Sequence, residues 1–523
     1  GARAVLVGDH NRLQRDVVRF LSDHQTHQDE GPVEVISTHI SEIFLVGDLA
    51  FKMKRAVRFW YLDFSTLDLR HQACEAELRK NYRTAPDLYL DVVSVTRDLS
   101  GELSLDGDGD VVEWLVKMRR FADDALLNLQ ISAGGMRRYA FIDLADHIAD
   151  FHAVAEPQSD AGGYRGRDLI FDNITTCFDP VDTFLDERTL TAWKRDCFAA
   201  LHNAATALDA RREAGAIKDC HGDMHLGNIC LIDAKPILFN GIEFNTDFSN
   251  IDVMYDLAFT IMDLDFHDQR RFANILLNRY LDVTGEIALT PHTLAVLPLF
   301  LSMRAAVRAH VGAAQAKDMS ACDDRAQEIA NSESYLRLAN SYLHPPSPKL
   351  IAVGGLSGSG KSRMARELAP FYGSAPGARV VRSDAVRKRM SGVRQEDRLG
   401  AEGYTTEMHV KTLEHFFDEA RLALSQGATV VLDAVFGLPA QRATAADLAR
   451  EFSMPFHGLW IDAQEEVRIG RIKSRKRNIS DVTEMIAREQ SNYELGEITW
   501  DRINSSGPKQ ETVDAARQVV GYP

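Results

Sequence analysis

Apolar positions along this chain keep different rhythms in different regions. In the first third they alternate with polar ones in short runs, at 33–37, 43–46, 49–53, 92–96, 103–105 and 111–117. Alternation with a period of two predicts half-buried strands, and Gly47-Asp48 between two of the runs predicts a hairpin turn. A helical stretch over 69–78 interrupts the series. From about 120 to 220, and again from 253 to about 340, apolar residues recur three and four apart, which predicts helices. Beyond 350 the runs 350–353, 380–381, 429–432 and 456–461 alternate with helical segments. Strands alternating with helices imply a parallel sheet covered on both faces. Between these regions lies Tyr342-Leu343-His344-Pro345-Pro346-Ser347-Pro348-Lys349. Three prolines in four residues end a helix and favour an extended spacer. The expected division is a domain over 1–341, a Pro-rich linker over 342–349 and a second domain over 350–523.

The second region carries the sharper chemical pattern. Gly355-Leu356-Ser357-Gly358-Ser359-Gly360-Lys361-Ser362 satisfies G-x-x-x-x-G-K-[ST], follows an apolar run and opens a helical segment. Its backbone N–H groups, those of Ser357 and Ser359 included, are expected to wrap nucleotide phosphates. Gly355, Gly358 and Gly360 let the chain close around the oxygens. Lys361 would reach the β/γ-phosphates and the Ser362 hydroxyl would take a position on Mg²⁺. Asp433, ending the run 429–432, is the expected second anchor for the ion. Asp384 and Arg387, after the run 380–381, are candidates for the acceptor side. Asp384 would be base or positioner and Arg387 would hold an anionic group; the plainer alternative is a helix N-cap with solvated basic neighbours. The basic run from Arg468 to Arg477 reads as a lid or as a solvated helix face. Arg471 and Arg475, four apart, are the preferred phosphate-closing residues, with Arg477 as the alternative.

A second constellation lies near mid-chain, in His221-Gly222-Asp223-Met224-His225-Leu226-Gly227-Asn228. An acid five residues before an amide is the spacing of a kinase catalytic loop. Asp223 is the candidate base and Asn228 the candidate Mg²⁺ ligand. Glu243 and, less convincingly, Asn240 on the following run could add metal ligands. Lys52, with Lys54 two residues on as its rival, is the candidate α/β-phosphate lysine, and Glu75 is its expected helical partner.

With these residues in view, positions 1 to about 340 resemble the aminoglycoside-phosphotransferase-like kinases, whose H-G-D-x-H-x-x-N loop is matched in full. The resemblance implies an α+β, protein-kinase-like bilobal fold. It extends to Thr38-His39-Ile40-Ser41, where Ser41 becomes a candidate nucleotide contact, and to Phe51-Lys52-Met53-Lys54-Arg55-Ala56-Val57. Leu62-Asp63-Phe64-Ser65-Thr66-Leu67 and Ala85-Pro86-Asp87-Leu88-Tyr89-Leu90 belong to it as well. Asp256, in the run 251–258, resembles the acid that buttresses the family's catalytic loop. The whole chain is similar to bacterial fusions of such a phosphotransferase with a P-loop kinase. Members of that group usually carry Asp where this chain has Asn240. The C-terminal part resembles gluconate-kinase and zeta-toxin-like P-loop kinases, which implies an α/β fold on a parallel sheet.

Composition narrows the function classes. A formal charge of −16 opposes a role in coating nucleic acid, which demands clustered Lys and Arg. The six cysteines have no C-x-x-C spacing, so reduced thiols in a cytosolic protein are expected, not a disulfide frame or a zinc site. Gly1-Ala2-Arg3 lacks an initiator Met and opens no signal-peptide pattern, so a processed start is expected. No membrane span is expected either. The resulting expectation is a bifunctional kinase using ATP and Mg²⁺ on small-molecule hydroxyls. A polynucleotide 5′-hydroxyl kinase and a regulatory protein with one working nucleotide site are the rivals.

Overall fold

The computed structural model describes residues 8–28, 31–177, 184–319, 323–474 and 484–522. Packing divides the chain into two compact units, one of residues 1–263 and 304–336, the other of 264–303 and 337–523.

The first unit opens with the helix Gly8–Leu21, which the sequence reading did not anticipate. Then comes a six-stranded sheet in the order Glu34–Ser37, Ser41–Val46, Leu49–Lys54, Asp110–Arg119, Tyr89–Arg97, Leu103–Leu105, with every pairing antiparallel. All six expected strands are present. The hairpin at Gly47 needs its glycine, whose φ is +52°. Phe44, Val46, Phe51, Met53, Val93, Val95 and Leu115 form an apolar layer with Val17 and Leu21 of the first helix. The strand Leu49–Lys54 is buried on both faces: Phe51 and Met53 enter that layer, while Lys52 and Lys54 point the other way. The helix Leu67–Tyr82 covers this second face with Arg70, Ala73, Cys74, Glu77 and Asn81, three and four apart. A mostly helical lobe follows. Two short antiparallel ladders, Ile229–Ile232 with Lys235–Leu238 and Ile217–Asp219 with Asn250–Asp252, flank the 221–228 loop.

The second unit is built on a five-stranded parallel sheet in the order Arg379–Arg382, Val430–Asp433, Leu350–Gly354, Phe456–Asp462, Asp501–Asn504. Leu350–Gly354 is central and wholly buried, as expected of a parallel strand covered on both faces. The edge strand Arg379–Arg382 would leave N–H groups open. The helix Arg270–Thr284 closes them: Val380 N donates to Asn278 Oδ1 at 2.8 Å, and Asn274 Nδ2 donates to the Ala378 carbonyl at 3.0 Å. Arg379 pairs with Asp282 of the same helix at 2.6 Å. No helix among the described residues is long and apolar enough to cross a membrane.

Candidate functional site

The 221–228 loop is held almost entirely through its backbone. The helix Val253–Phe266 is buried as far as Leu264 and carries Asp256, Thr260 and Asp263 at spacings of four and three, hence on one face. Asp256 accepts from the N–H groups of His221 at 3.1 Å and Gly222 at 2.9 Å. Thr260 Oγ1 donates to the Met224 carbonyl at 2.6 Å, and Asp263 accepts from Leu226 N at 2.9 Å. Gly222 sits at φ +87°, where a Cβ would meet the Phe248 carbonyl oxygen at 2.7 Å, so the turn requires glycine. Arg304 Nη1 donates to the Gly222 carbonyl at 3.1 Å, and His152 Nε2 lies 3.0 Å from Asp256. Burial opposes ionisation of Asp256, yet the bond from His152 and the nearby His152, His221 and Arg304 hold its pKa down at about 2. His152, Thr260, Asp263 and Arg304 were missed in the sequence; the one signal was a polar face on an otherwise apolar helix.

The frame presents Asp223 and Asn228 together. Asn228 Nδ2 donates to the Asp223 carbonyl at 2.8 Å and to its carboxylate at 2.9 Å. Burial works to raise the Asp223 pKa, but His225, His221 and Arg308 outweigh it, so the carboxylate is ionised and able to orient a hydroxyl. His221 Nε2 donates to the Phe239 carbonyl at 2.8 Å while its Nδ1 faces Asp223 N at 3.3 Å, and burial keeps its pKa below the usual value.

Lys52 also enters this site, with a different partner from the expected one. Its Nζ donates to Glu77 Oε1 at 2.8 Å and to Asn240 Oδ1 at 2.7 Å. Glu77 is 0% exposed, whereas Glu75 is 52% exposed and lies 3.7 Å from His71. Two residues along a helix turn the side chain by about 200°, so 75 and 77 cannot share a face. Lys54, the rival lysine, is buried between Glu77 and Glu243, and those two carboxylates raise its pKa against the effect of burial. Ser41 lies opposite Lys54 in the adjacent strand and is 1% exposed; its hydroxyl has no partner among the described residues. The oxygens expected to hold Mg²⁺ in this unit are therefore committed elsewhere. Glu243 is held by Lys54, Asn240 Oδ1 by Lys52, and Asn228 Oδ1 accepts from Asn240 Nδ2 at 3.1 Å. This set does not fit a divalent ion.

In the second unit the loop 355–360 joins the central strand to the helix Lys361–Leu368. Gly358 and Gly360 have φ of +83° and +100°. A Cβ on Gly358 would meet the Arg468 carbonyl oxygen at 2.5 Å, whereas one on Gly360 would find nothing nearer than Arg471 Nη1 at 3.5 Å. Asp433 pairs in register with Val353, which puts its carboxylate at the carboxyl end of the sheet beside the loop. Arg382 Nε donates to it at 3.0 Å. Ser362 and Asp433, whose Oδ2 is the oxygen that Arg382 engages, offer hard oxygen donors of the kind Mg²⁺ takes. Asp384 lies in the first turn of the helix Ser383–Met390, whose N-cap is Arg382.

Two other expected residues have different surroundings. Arg387 is buried, donating to the Gly403 carbonyl at 3.0 Å, with Nη2 at 3.1 Å from His409 Nδ1. It braces the 400–409 segment. Arg471 Nη1 donates to the Ser359 carbonyl at 2.9 Å and Ser505 Oγ at 3.2 Å, and Nη2 donates to the Ser505 carbonyl. It therefore grips the loop by its carbonyl oxygens, because a guanidinium can only donate and these are the nearest acceptors. Arg468 does the same at the Ser357 carbonyl, 3.2 Å away, while Gln490 accepts from Ser357 N at 2.7 Å. Gln490 and Ser505 had no motif to announce them, and Arg468 is the first residue of the basic run. Arg475 and Arg477 lie outside the described residues.

The second unit has the form of a P-loop nucleotide-binding fold, a glycine-rich loop between the central strand of a parallel sheet and a helix, and the first is an α+β unit, an antiparallel sheet followed by a mostly helical lobe. Residues 350–495 match the family described as AAA domain. An uncharacterized protein of Mycobacterium tuberculosis is 28% identical over 501 residues, covering 94% of this chain and 96% of that protein. The adenylyl-sulfate kinase of Myxococcus xanthus is 32% identical over 125 residues, 23% of this chain and 62% of its own length. Among solved structures, a choline/ethanolamine kinase family protein from Mesorhizobium loti aligns over 63% of this chain and 99% of its own, at 11% identity and a TM-score of 0.37.

Proposed function

We propose that this chain transfers the γ-phosphoryl group of ATP to a hydroxyl of a small molecule, with the P-loop site performing the turnover. One observation carries the reading. The loop before Lys361 and Ser362, the carboxylate of Asp433, and Asp384 all follow the carboxyl ends of three adjacent parallel strands. That edge of an open α/β sheet is where ligands bind. Lys361 would meet the β/γ-phosphates, and Asp384 would take the acceptor's proton as its oxygen bonds to phosphorus and ADP leaves. Ser362 and Asp433 would hold Mg²⁺, which when bound neutralises charge on the transferred group. The likeness to an adenylyl-sulfate kinase supports a small-molecule acceptor over a polynucleotide, as does the charge of −16. The domain division at 342–349 and a cytoplasmic setting belong to the same proposal.

In its fullest form the proposal is bifunctional, with Asp223 as base and Lys52 on the phosphates of a second ATP. The hold of Lys54 on Glu243 favours the narrower form, in which the first unit binds nucleotide and the second turns it over. ADP release would be followed against sugars, polyols, nucleosides and 5′-hydroxyl oligonucleotides. Lys361→Ala should lower turnover at least about 100-fold. Unchanged turnover in that variant overturns the assignment to the P-loop, and a loss confined to Asp223→Ala transfers the chemistry to the first unit.

A further inference from the structure

The polar groups of the first unit's site form one chain of hydrogen bonds whose direction is set by its two ends. At one end stands Lys52, an ammonium that can only donate. At the other stands the ionised Asp223, whose carboxylate can only accept. Between them lie two amides. Lys52 Nζ requires an oxygen and takes Asn240 Oδ1 at 2.7 Å, which turns Asn240 Nδ2 toward Asn228. Asp223 requires donors and takes Asn228 Nδ2 at 2.9 Å, which turns Asn228 Oδ1 toward Asn240. The two amides meet N–H to O at 3.1 Å. Flipping either one would set a donor against Lys52 or an oxygen against Asp223, so the orientation of both follows from charge.

A carboxylate at position 240 would behave differently. It would set an anionic oxygen against Asn228 Oδ1, and such a pair needs a cation between its members. Asn240 supplies an N–H there instead. Backbone geometry holds the group in place: Asn240 adopts φ +60°, tolerated by Asn, and its N–H donates to the Tyr89 hydroxyl at 3.0 Å. The neighbouring charges also close among themselves. Lys52 and Lys54 carry two positive charges, and Glu77 and Glu243 two negative ones. Those four charges cancel, and the remaining carboxylate of the hydrogen-bond chain, Asp223, is engaged by Asn228 Nδ2.

We propose that the Asn240 amide stands in for a divalent cation, so that the first unit takes a nucleoside polyphosphate without a metal ion held between positions 228 and 240. This rests on the reading that the first unit is a nucleotide site. Bound Mn²⁺ and bound nucleotide would be counted by equilibrium dialysis of the full chain with a non-hydrolysable ATP analogue. Mn²⁺ binding should fall at least about tenfold in affinity in Ser362→Ala and stay unchanged in Asn228→Ala. Asn240→Asp should gain an ion that the wild type lacks. An ion that survives Ser362→Ala and disappears in Asn228→Ala or Glu243→Gln overturns the proposal, whether or not Asn240→Asp folds. An Asn240→Asp chain that folds and gains no ion overturns it too. Failure of the underlying reading has its own signature: a nucleotide count unaffected by Lys52→Ala, with all bound analogue lost in Lys361→Ala.

Discussion

Glu77→Gln tests the polar centre of the first unit directly. Glu77 is wholly buried and accepts from both Lys52 and Lys54, so the amide leaves two ammoniums with the single carboxylate of Glu243. Breaking one member of a buried ion network costs about 3–5 kcal/mol, because the remaining charge is stranded away from water. The electrostatic setting of Glu77 leads to a second figure. Burial alone would raise the Glu77 pKa, but Lys52 and Lys54 bring it from 4.5 to about 2. A carboxylate with a depressed folded-state pKa adds stability above its unfolded pKa and loses it as pH falls through the folded one. The window runs from 4.5 down to about 2 and corresponds to about 3 kcal/mol. Hydrogen exchange of the amides in Leu49–Lys54 reads the local opening energy. Exchange should speed up by about 100-fold or more in Glu77→Gln, and the pH 4.5-to-2 slope should flatten. Glu75→Gln, on the exposed face, should change stability by less than about 0.5 kcal/mol. Equal effects at 75 and 77, or a loss below about 1 kcal/mol at 77, would refute the reasoning.

The P-loop gives a paired prediction: Gly358→Ala should weaken nucleotide binding far more than Gly360→Ala. Both sit at positive φ, but only at 358 would the new methyl strike backbone, the Arg468 carbonyl at 2.5 Å. Backbone strain alone costs about 1–2 kcal/mol at 360, so a roughly tenfold loss is expected there and a larger one at 358 by calorimetric titration. His310 gives the acid limb at milder pH. Burial, helped by Lys317, pushes its pKa from 6.5 to about 4, so the folded chain refuses a proton that the unfolded chain takes. Stability should fall by up to about 3 kcal/mol as pH drops through that interval, and His310→Gln should remove that part of the slope in pH-dependent melting.

Much of the site was legible before any coordinates. The H-G-D-x-H-x-x-N loop comes out as a backbone-held turn that joins Asp223 to Asn228, because its residues are local and its glycine is obligatory. The six strand runs of the first unit emerged because a period of two survives in any half-buried strand. The helix Gly8–Leu21 and the edge strand Asp501–Asn504 did not, since neither has a motif and each is defined by the sheet it covers or extends. Glu75 was preferred to Glu77 although the helical period could have separated them; the sequence offered no way to know which face met Lys52.

What the sequence by itself determined is therefore local: two phosphate-handling loops, the alternation that builds each sheet, and the residue types capable of phosphotransfer. What only the tertiary structure decided is which of those groups remain available. Lys54 claims Glu243, Asn240 turns its amide on Asn228, and Arg471 takes the carbonyl side of the P-loop. These pairings join residues far apart in the chain: Asn240 is 188 positions from Lys52, and Arg471 is 112 from Ser359. The physical reason is that a buried polar group bonds to whatever stands beside it, and packing, not spacing along the chain, chooses that neighbour.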